Sequence, residues 1–377
     1  MSTNPAEIKK RKPHKQAKPN QPSLFDVVAT ADRSPDGATR VSPVKKVKKF
    51  EEYEQTKPIE MSVFEMLAAE DKKYSSSIEL YDFMPKYHWG KVDRINEQFL
   101  LSLKREFECR GVKYKVTIHP ARIEDSEGQI RDYYPSQREE LIEDALRKLA
   151  SNGQGLFLDD QASVTFTLHQ LRHELEHMGH GYKVSEIKDA LLVCANASIE
   201  VKSEDGTTIL MSHIFETVGL HTEENWEGSG QKTKAFVRFN PLVTRSIKNR
   251  AFRQLNYEIS MSYRSVIARQ LHKRISHHYT QASLANTYDI LLSTIIRDFG
   301  LKARDRVIHN LRAVKLALEE MVEKEIILEF DIQKIMDAKK SNKLADAKIV
   351  LRPHPRFAGE MIRANKRQGN IKALLAQ

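Results

Sequence analysis

Two stretches of this 377-residue chain carry residue types at spacings that suit chemistry. The first is His173-Glu174-Leu175-Glu176-His177, the pattern H-E-x-x-H. On a helix, two His four residues apart share a face and can hold zinc, with the Glu as general base for peptide hydrolysis. His169 and His180 extend the stripe. The third ligand is missing, because a metzincin needs Gly at 180 and His at 183, where this chain has His180 and Lys183. The next helix offers only Glu186 in its first turn, and Glu200 falls in an expected strand. The segment 168–178 has a plain packing role instead, with Leu168, Leu171, Leu175 and Met178 on its inner side. No metal site is expected, and a zinc metallopeptidase ranks last among the readings.

The second stretch is 287–330. A helix is expected over Tyr288–Asp298, capped by Asn286 or Thr287 and ended before Gly300. A longer helix follows at 303–323, with Val307, Leu311, Val314, Leu318 and Met321 on one face. Lys302, Asp305, Arg306, His309, Arg312 and Ala313 fall opposite, with Arg304 and Asn310 on the flanks. Ile326–Phe330 reads as a strand. Helix, turn, basic helix and strand is the order in which a winged helix-turn-helix offers a recognition helix to a major groove. Arg304, Arg306, His309, Asn310 and Arg312 are the expected base-edge contacts, and Lys302 a phosphate contact. Arg245, Lys248, Arg250 and Arg253 form a second cluster, either following the DNA backbone or lying on a solvated linker helix. A Gly-rich phosphate loop, the His-apolar-His and Tyr set of a rolling-circle nickase, and the spacing of a nucleophilic triad are all missing. No enzymatic activity and no cofactor are expected.

Composition points the same way. Net charge is +10 and the isoelectric point about 9.3, which favours a polyanionic partner, nucleic acid first. Residues 1–50 hold twelve Lys and Arg against four Asp and Glu, so most of that charge sits in the tail. A basic groove elsewhere needs local clustering, as at 303–323. The chain is 40% hydrophobic, enough for a sizeable core in two domains. Two cysteines, Cys109 and Cys194, offer no disulfide framework and fit a reducing, cytoplasmic setting. No apolar run approaches a membrane span.

Residues 1–80 read as a disordered basic tail. One island interrupts it, Gln21-Pro22-Ser23-Leu24-Phe25-Asp26. It resembles the peptide by which bacterial replication proteins dock on the sliding clamp, with Gln21 at the rim and Leu24 and Phe25 filling a pocket. Pro22 departs from the usual leucine. Residues 81–234 are expected to form a first winged-helix domain. Helices are expected at Asn96–Cys109, Gln137–Ala150, Leu168–Met178 and 185–195, and strands at Tyr114–Ile118 and Val164–Phe166. Asp205-Gly206 signals a hairpin between Ser198–Lys202 and Thr207–Thr217. The helix at 185–195 carries Glu186, Lys188 and Asp189, so the two units should not grip DNA equally. Residues 235–360 are the expected second winged helix, from the strand Ala235–Phe239 through the helix Tyr263–Tyr279 to the strand Ile349–Leu351. Residues 361–377 read as a basic tail. The fold class is thus α+β, two tandem winged helices behind a disordered basic tail.

Asn240-Pro241-Leu242-Val243, Ala268-Arg269-Gln270-Leu271-His272-Lys273-Arg274, Thr294-Ile295-Ile296-Arg297-Asp298 and Asn310-Leu311-Arg312 together resemble plasmid replication initiators of the iteron-binding, RepA type. The resemblance covers roughly residues 82–360 and is moderately specific. It implies two winged helices on directly repeated duplex origin sites, local strand opening, and recruitment of the replicative helicase and the sliding clamp. It also implies a homodimer held by the first winged helix, so a fragment starting near Asn240 is expected to bind single sites without dimerising. A winged-helix transcriptional regulator is the alternative reading.

Overall fold

The computed structural model describes residues 73–92, 94, 99–124, 128–206, 209–220, 234–279, 286–303, 306–338 and 343–375. Helices and antiparallel sheets combine in them as an α+β fold. The chain enters on β1 (Tyr74–Ser77) and the short helix α1 (Glu79–Phe83). β2 (Leu103–Cys109) and β3 (Val112–His119) make a hairpin in register from Leu103↔Ile118 to Cys109↔Val112. Arg110 and Gly111 turn it, both at positive φ (51° and 77°), the pair of conformations that a two-residue hairpin loop needs. The helix expected at 96–109 is therefore a strand from Leu103 on. Phe99, Leu100, Leu103 and Phe107 fit a helical face, but Leu103, Arg105, Phe107 and Cys109 also alternate, and the ladder to β3 selects the period of two.

β4 (Ala121–Glu124) and β5 (Ile130–Tyr133) form a small hairpin. α2 (Gln137–Leu149) follows where a helix is expected, its start fixed by the Glu139 carboxylate accepting from the Ser136 amide at 2.8 Å. β6 (Gly155–Leu158) and β7 (Gln161–Thr167) lead into α3 (Leu168–His177), which buries Leu168, Leu171 and Leu175 as expected. α4 (Val184–Asn196) buries Ile187 and Leu191, and its C-terminal half packs Leu192, Val193 and Ala197 against Ala121 and Ile123 of β4. β8 (Ser198–Ser203) and β9 (Ile209–His213) pair across the Asp205-Gly206 turn. With β10 (Phe215–Leu220) and β11 (Lys234–Phe239) they complete two four-stranded sheets, β2-β3-β8-β9 and β10-β11-β7-β6. β11 pairs back into the N-terminal half, so the chain crosses to the other half only after Phe239.

α5 (Pro241–Lys248) is capped by Asn240, whose side chain accepts from the Leu242 amide at 2.9 Å. β12 (Arg253–Asn256) pairs with β1, from Tyr74↔Asn256 to Ser77↔Arg253. Two helices follow, α6 (Tyr257–Ser262) and α7 (Val266–His278). Then come β13 (Tyr288–Leu291), α8 (Leu292–Asp298), α9 (Val307–Glu323), β14 (Ile327–Met336) and β15 (Leu344–Pro353), the strands ordered β13-β15-β14. The helix expected at 288–298 is thus divided. Its first four residues extend along β15 from Tyr288↔Leu351 to Leu291↔Lys348, with Ile290 turned into the core. β14 and β15 run ten residues each, well beyond the short strands expected. The tail expected from 361 is also different. α10 (Pro355–Leu375) continues through it, because Phe357, Ala358, Met361 and Ala364 repeat at helical spacing and are buried, while Arg356, Arg363 and Lys366 face out. One core joins α7, α8, α9, the β13-β15-β14 sheet and α10. Among the described residues no helix is long and apolar enough to cross a membrane.

Candidate nucleic-acid interface

α9 buries Leu311, Val314, Ala317, Leu318 and Met321 against α7 and the sheet. That leaves one side in solvent. Arg306 stands exposed at the N-cap, and its carbonyl accepts from the His309 amide at 3.0 Å. Arg312 is exposed at the middle of the free face, His309 is half-buried at its border, and Lys302 is exposed in the turn before the helix. Asn310 corrects the expected set. It is 8% exposed, because two residues from Arg312 means about 200° around the helix, onto the core side. Arg304 lies outside the described residues. Beyond Arg312 the face carries Lys315, ion-paired with Glu319 at 3.7 Å, and Leu316, which is 66% exposed. Charge therefore runs from basic at the N-terminal end of α9 to acidic at Glu319 and Glu323. Lys334 and Lys343 are exposed on the β14–β15 wing.

The N-terminal half holds this helix pair in place. Gly300, at φ +61°, makes the turn between α8 and α9, and a Cβ there would meet the Arg105 guanidinium at 2.6 Å. Arg105 donates in turn to the Pro85 and Tyr87 carbonyls, and burial lowers it to about 10. Trp89 Nε1 donates to the Phe299 carbonyl at 2.8 Å. Asp298, at the end of α8, takes Arg274 at 2.8 Å, Arg297 at 2.7 Å and the Glu108 amide at 3.3 Å.

Behind α7 lies a buried ion network that no single segment announces. Glu140 of α2, 1% exposed, accepts from Arg269 at 3.0 Å, Gln270 at 2.6 Å and Lys273 at 3.1 Å, all on α7. Asp144 takes Lys273 at 2.7 Å, and Arg147 spans to Asp82 at 2.6 Å. Burial alone would raise the Glu140 and Asp82 carboxyls. Arg269 and Lys273 hold Glu140 below its usual range, and Arg147, Lys273 and Lys86 hold Asp82 well below. A signal existed in the sequence: acids at 140 and 144 and bases at 269 and 273 each share a helix face at i,i+4 spacing.

The second basic cluster does not assemble as one strip. Lys248 pairs with Asp160 at 2.5 Å, at the turn between β6 and β7, and Arg238 pairs with Asp159 beside it at 2.5 Å. Arg245 and Arg250 are half-buried. Arg253 is 7% exposed in β12, where it donates to Asn365 and to the His277 carbonyl, so it is a strut between strand and helices rather than a solvent-facing cation. Gln21, Leu24 and Phe25 lie outside the described residues. In the H-E-x-x-H stretch, His169, His173 and His177 stand exposed on α3, Arg172 pairs with Glu176 at 2.8 Å, and His180 Nε2 lies 2.8 Å from the Met261 carbonyl. Among the described residues no three His, Cys, Asp or Glu converge on a point that could hold a metal.

No family model and no curated protein matches the chain. Solved structures give slight likenesses. Domains 2 and 3 of RctB are 10% identical with a TM-score of 0.42, covering 70% of this chain and 94% of that one. A second structure of those RctB domains is 11% identical, with the same score and coverage. The Pi initiator protein, solved in complex with iteron DNA, is 12% identical with a TM-score of 0.40, covering 58% of this chain and 91% of that one.

Proposed function

We propose that this chain is a non-enzymatic initiator of plasmid replication that binds repeated sites in duplex DNA through a C-terminal winged helix built from α7 to β15. The observation that carries the reading is the free, basic N-terminal half of α9, with Arg306 and Arg312 exposed and Lys302 beside them. A strand, a helix, a turn, this helix and a long two-stranded wing are the parts by which a winged helix-turn-helix meets a groove. The N-terminal half repeats the order with β7, α3, α4, β8 and β9. There the C-terminal half of α4 lies under the β4–β5 hairpin, and its polar residues are mixed in sign, which suits contact with a second copy of the chain better than a phosphate backbone. Initiation rather than gene regulation is supported by the quoted sequence resemblance and by the clamp-like peptide at Gln21, Leu24 and Phe25. Docking on the sliding clamp and the helicase belongs to the same proposal.

The test is footprinting by the full chain on the DNA next to its own gene. Direct repeats protected by the wild type and lost in Arg312→Ala are the expected result. Failure to protect any duplex refutes the reading, and a single unrepeated site at a promoter favours the regulator.

A further inference from the structure

α9 leaves two large apolar side chains exposed, Val322 near its C-terminal end, at 36%, and Leu316. Leu311 and Leu318 are 6% and 0% exposed, whereas Leu316 is 66% exposed. An exposed leucine alone means little. Its place is the informative part. Leu316 lies four residues beyond Arg312, so about 40° around the helix and about 6 Å along it. It lies on the flank of Arg312 away from the Lys315–Glu319 pair and one turn short of Glu319, where the face turns acidic. The basic window ends on a branched aliphatic group. In a major groove, Arg is matched to guanine edges, and an aliphatic side chain is matched to the C5-methyl of thymine.

We propose that Leu316 is a specificity-determining residue that packs on a thymine methyl one or two base pairs from the base met by Arg312. The proposal rests on the reading of α9 as the groove helix. The charge beside it commits the occupant to DNA: Arg306 and Arg312, both exposed on the solvent side, complement phosphates and guanine edges. Because Leu316 is mostly in solvent, its replacement leaves the fold intact.

The test uses the full chain and the duplex it selects from a randomised pool. Each thymine of that duplex is replaced in turn by deoxyuridine, which deletes only the methyl. At one position the wild type should lose about fourfold in affinity, the worth of one buried methyl-sized group. Leu316→Ala should bind the thymine duplex about as weakly as the wild type binds the uridine one, with no further loss on uridine. If no thymine methyl matters, or the uridine penalty persists in Leu316→Ala, the assignment is overturned. Should Arg312→Ala still abolish selection in that case, the reading of α9 stands without Leu316. If no duplex is selected at all, both fall. A changed sedimentation coefficient with an unchanged uridine penalty makes Leu316 a contact between copies and also overturns the proposal.

Discussion

Replacing Glu140 by Gln in the full chain tests whether the ion network holds the two halves together. The carboxylate is 1% exposed and gathers three α7 side chains, two of them cationic. Gln keeps the volume but removes the charge, and its amide N–H groups oppose the donors of Arg269 and Lys273. Breaking a buried ion pair from one side costs about 3–5 kcal/mol. Lys273 keeps Asp144 at 2.7 Å, which places the expected loss toward the lower end, ~3 kcal/mol. Lys315→Ala is the control. Its pair with Glu319 is 3.7 Å long and half-exposed, worth ~0.3–0.5 kcal/mol. Urea unfolding followed by Trp89 fluorescence, in a Trp226→Phe background, reads the junction directly, since Trp89 bonds across it to Phe299. A loss below ~1 kcal/mol, close to that of Lys315→Ala, would refute the view that this network joins the halves. The same junction bears on the fragment beginning near Asn240. It lacks β1, Trp89, Glu140 and Asp144, so it should fail to fold stably instead of retaining site binding.

Arg312→Ala should cost ~1–3 kcal/mol in site affinity and relax preference at one base, whereas Lys302→Ala should weaken all duplexes alike and lower the salt slope by about 0.9, both read in binding titrations across salt. Gly300→Ala should destabilise by more than ~1 kcal/mol in thermal unfolding, because the left-handed φ and the anchored Arg105 both resist a Cβ. His272 and His277 are buried and pushed down to about 3 and about 4. Unfolded histidines take up protons near pH 6.5 while these stay neutral, so stability should fall as pH drops from about 6.5 toward 4. His272→Leu should reduce that slope by up to about 1.4 kcal/mol per pH unit, measured by urea midpoints at a series of pH values. A peptide spanning Lys18–Val28 should bind a bacterial sliding clamp at roughly micromolar affinity, and Leu24→Ala/Phe25→Ala should remove most of it.

The elements that were legible from sequence carry their own punctuation. α2, α3, α4 and α9 each show a helical apolar face with a capping or breaking residue nearby, and Asp205-Gly206 marks its hairpin. The misses came from tertiary context. β13 has four residues, too few for any period to decide, and its pairing with β15 drew it out of the expected helix. At Leu103–Cys109 two periods fit and the hairpin partner chose between them. Asn310 was counted as a flank, but it lies about 200° around the helix from Arg312, on the side that packs inward. Nothing within α2 itself marks Glu140 and Asp144 for burial, since their pairing depends on a helix more than a hundred residues downstream. Arg312 and Lys302 were found where a surface was expected, whereas Leu316 broke the polar pattern of that face and passed unnoticed.

The pairing of β1 with β12 sets a timetable for synthesis. Tyr74 emerges from the ribosome about 180 residues before Asn256, its partner, a delay of about 10–40 s at ordinary elongation rates. Until then β1 has no ladder, and the acids of α2 wait for the cations of α7. The N-terminal half therefore cannot mature co-translationally as a finished module. A strand edge stays open while about 180 residues are translated, and a set of half-matched charges for about 130, and the nascent chain depends on the last third of its own sequence, or on a chaperone, to close them.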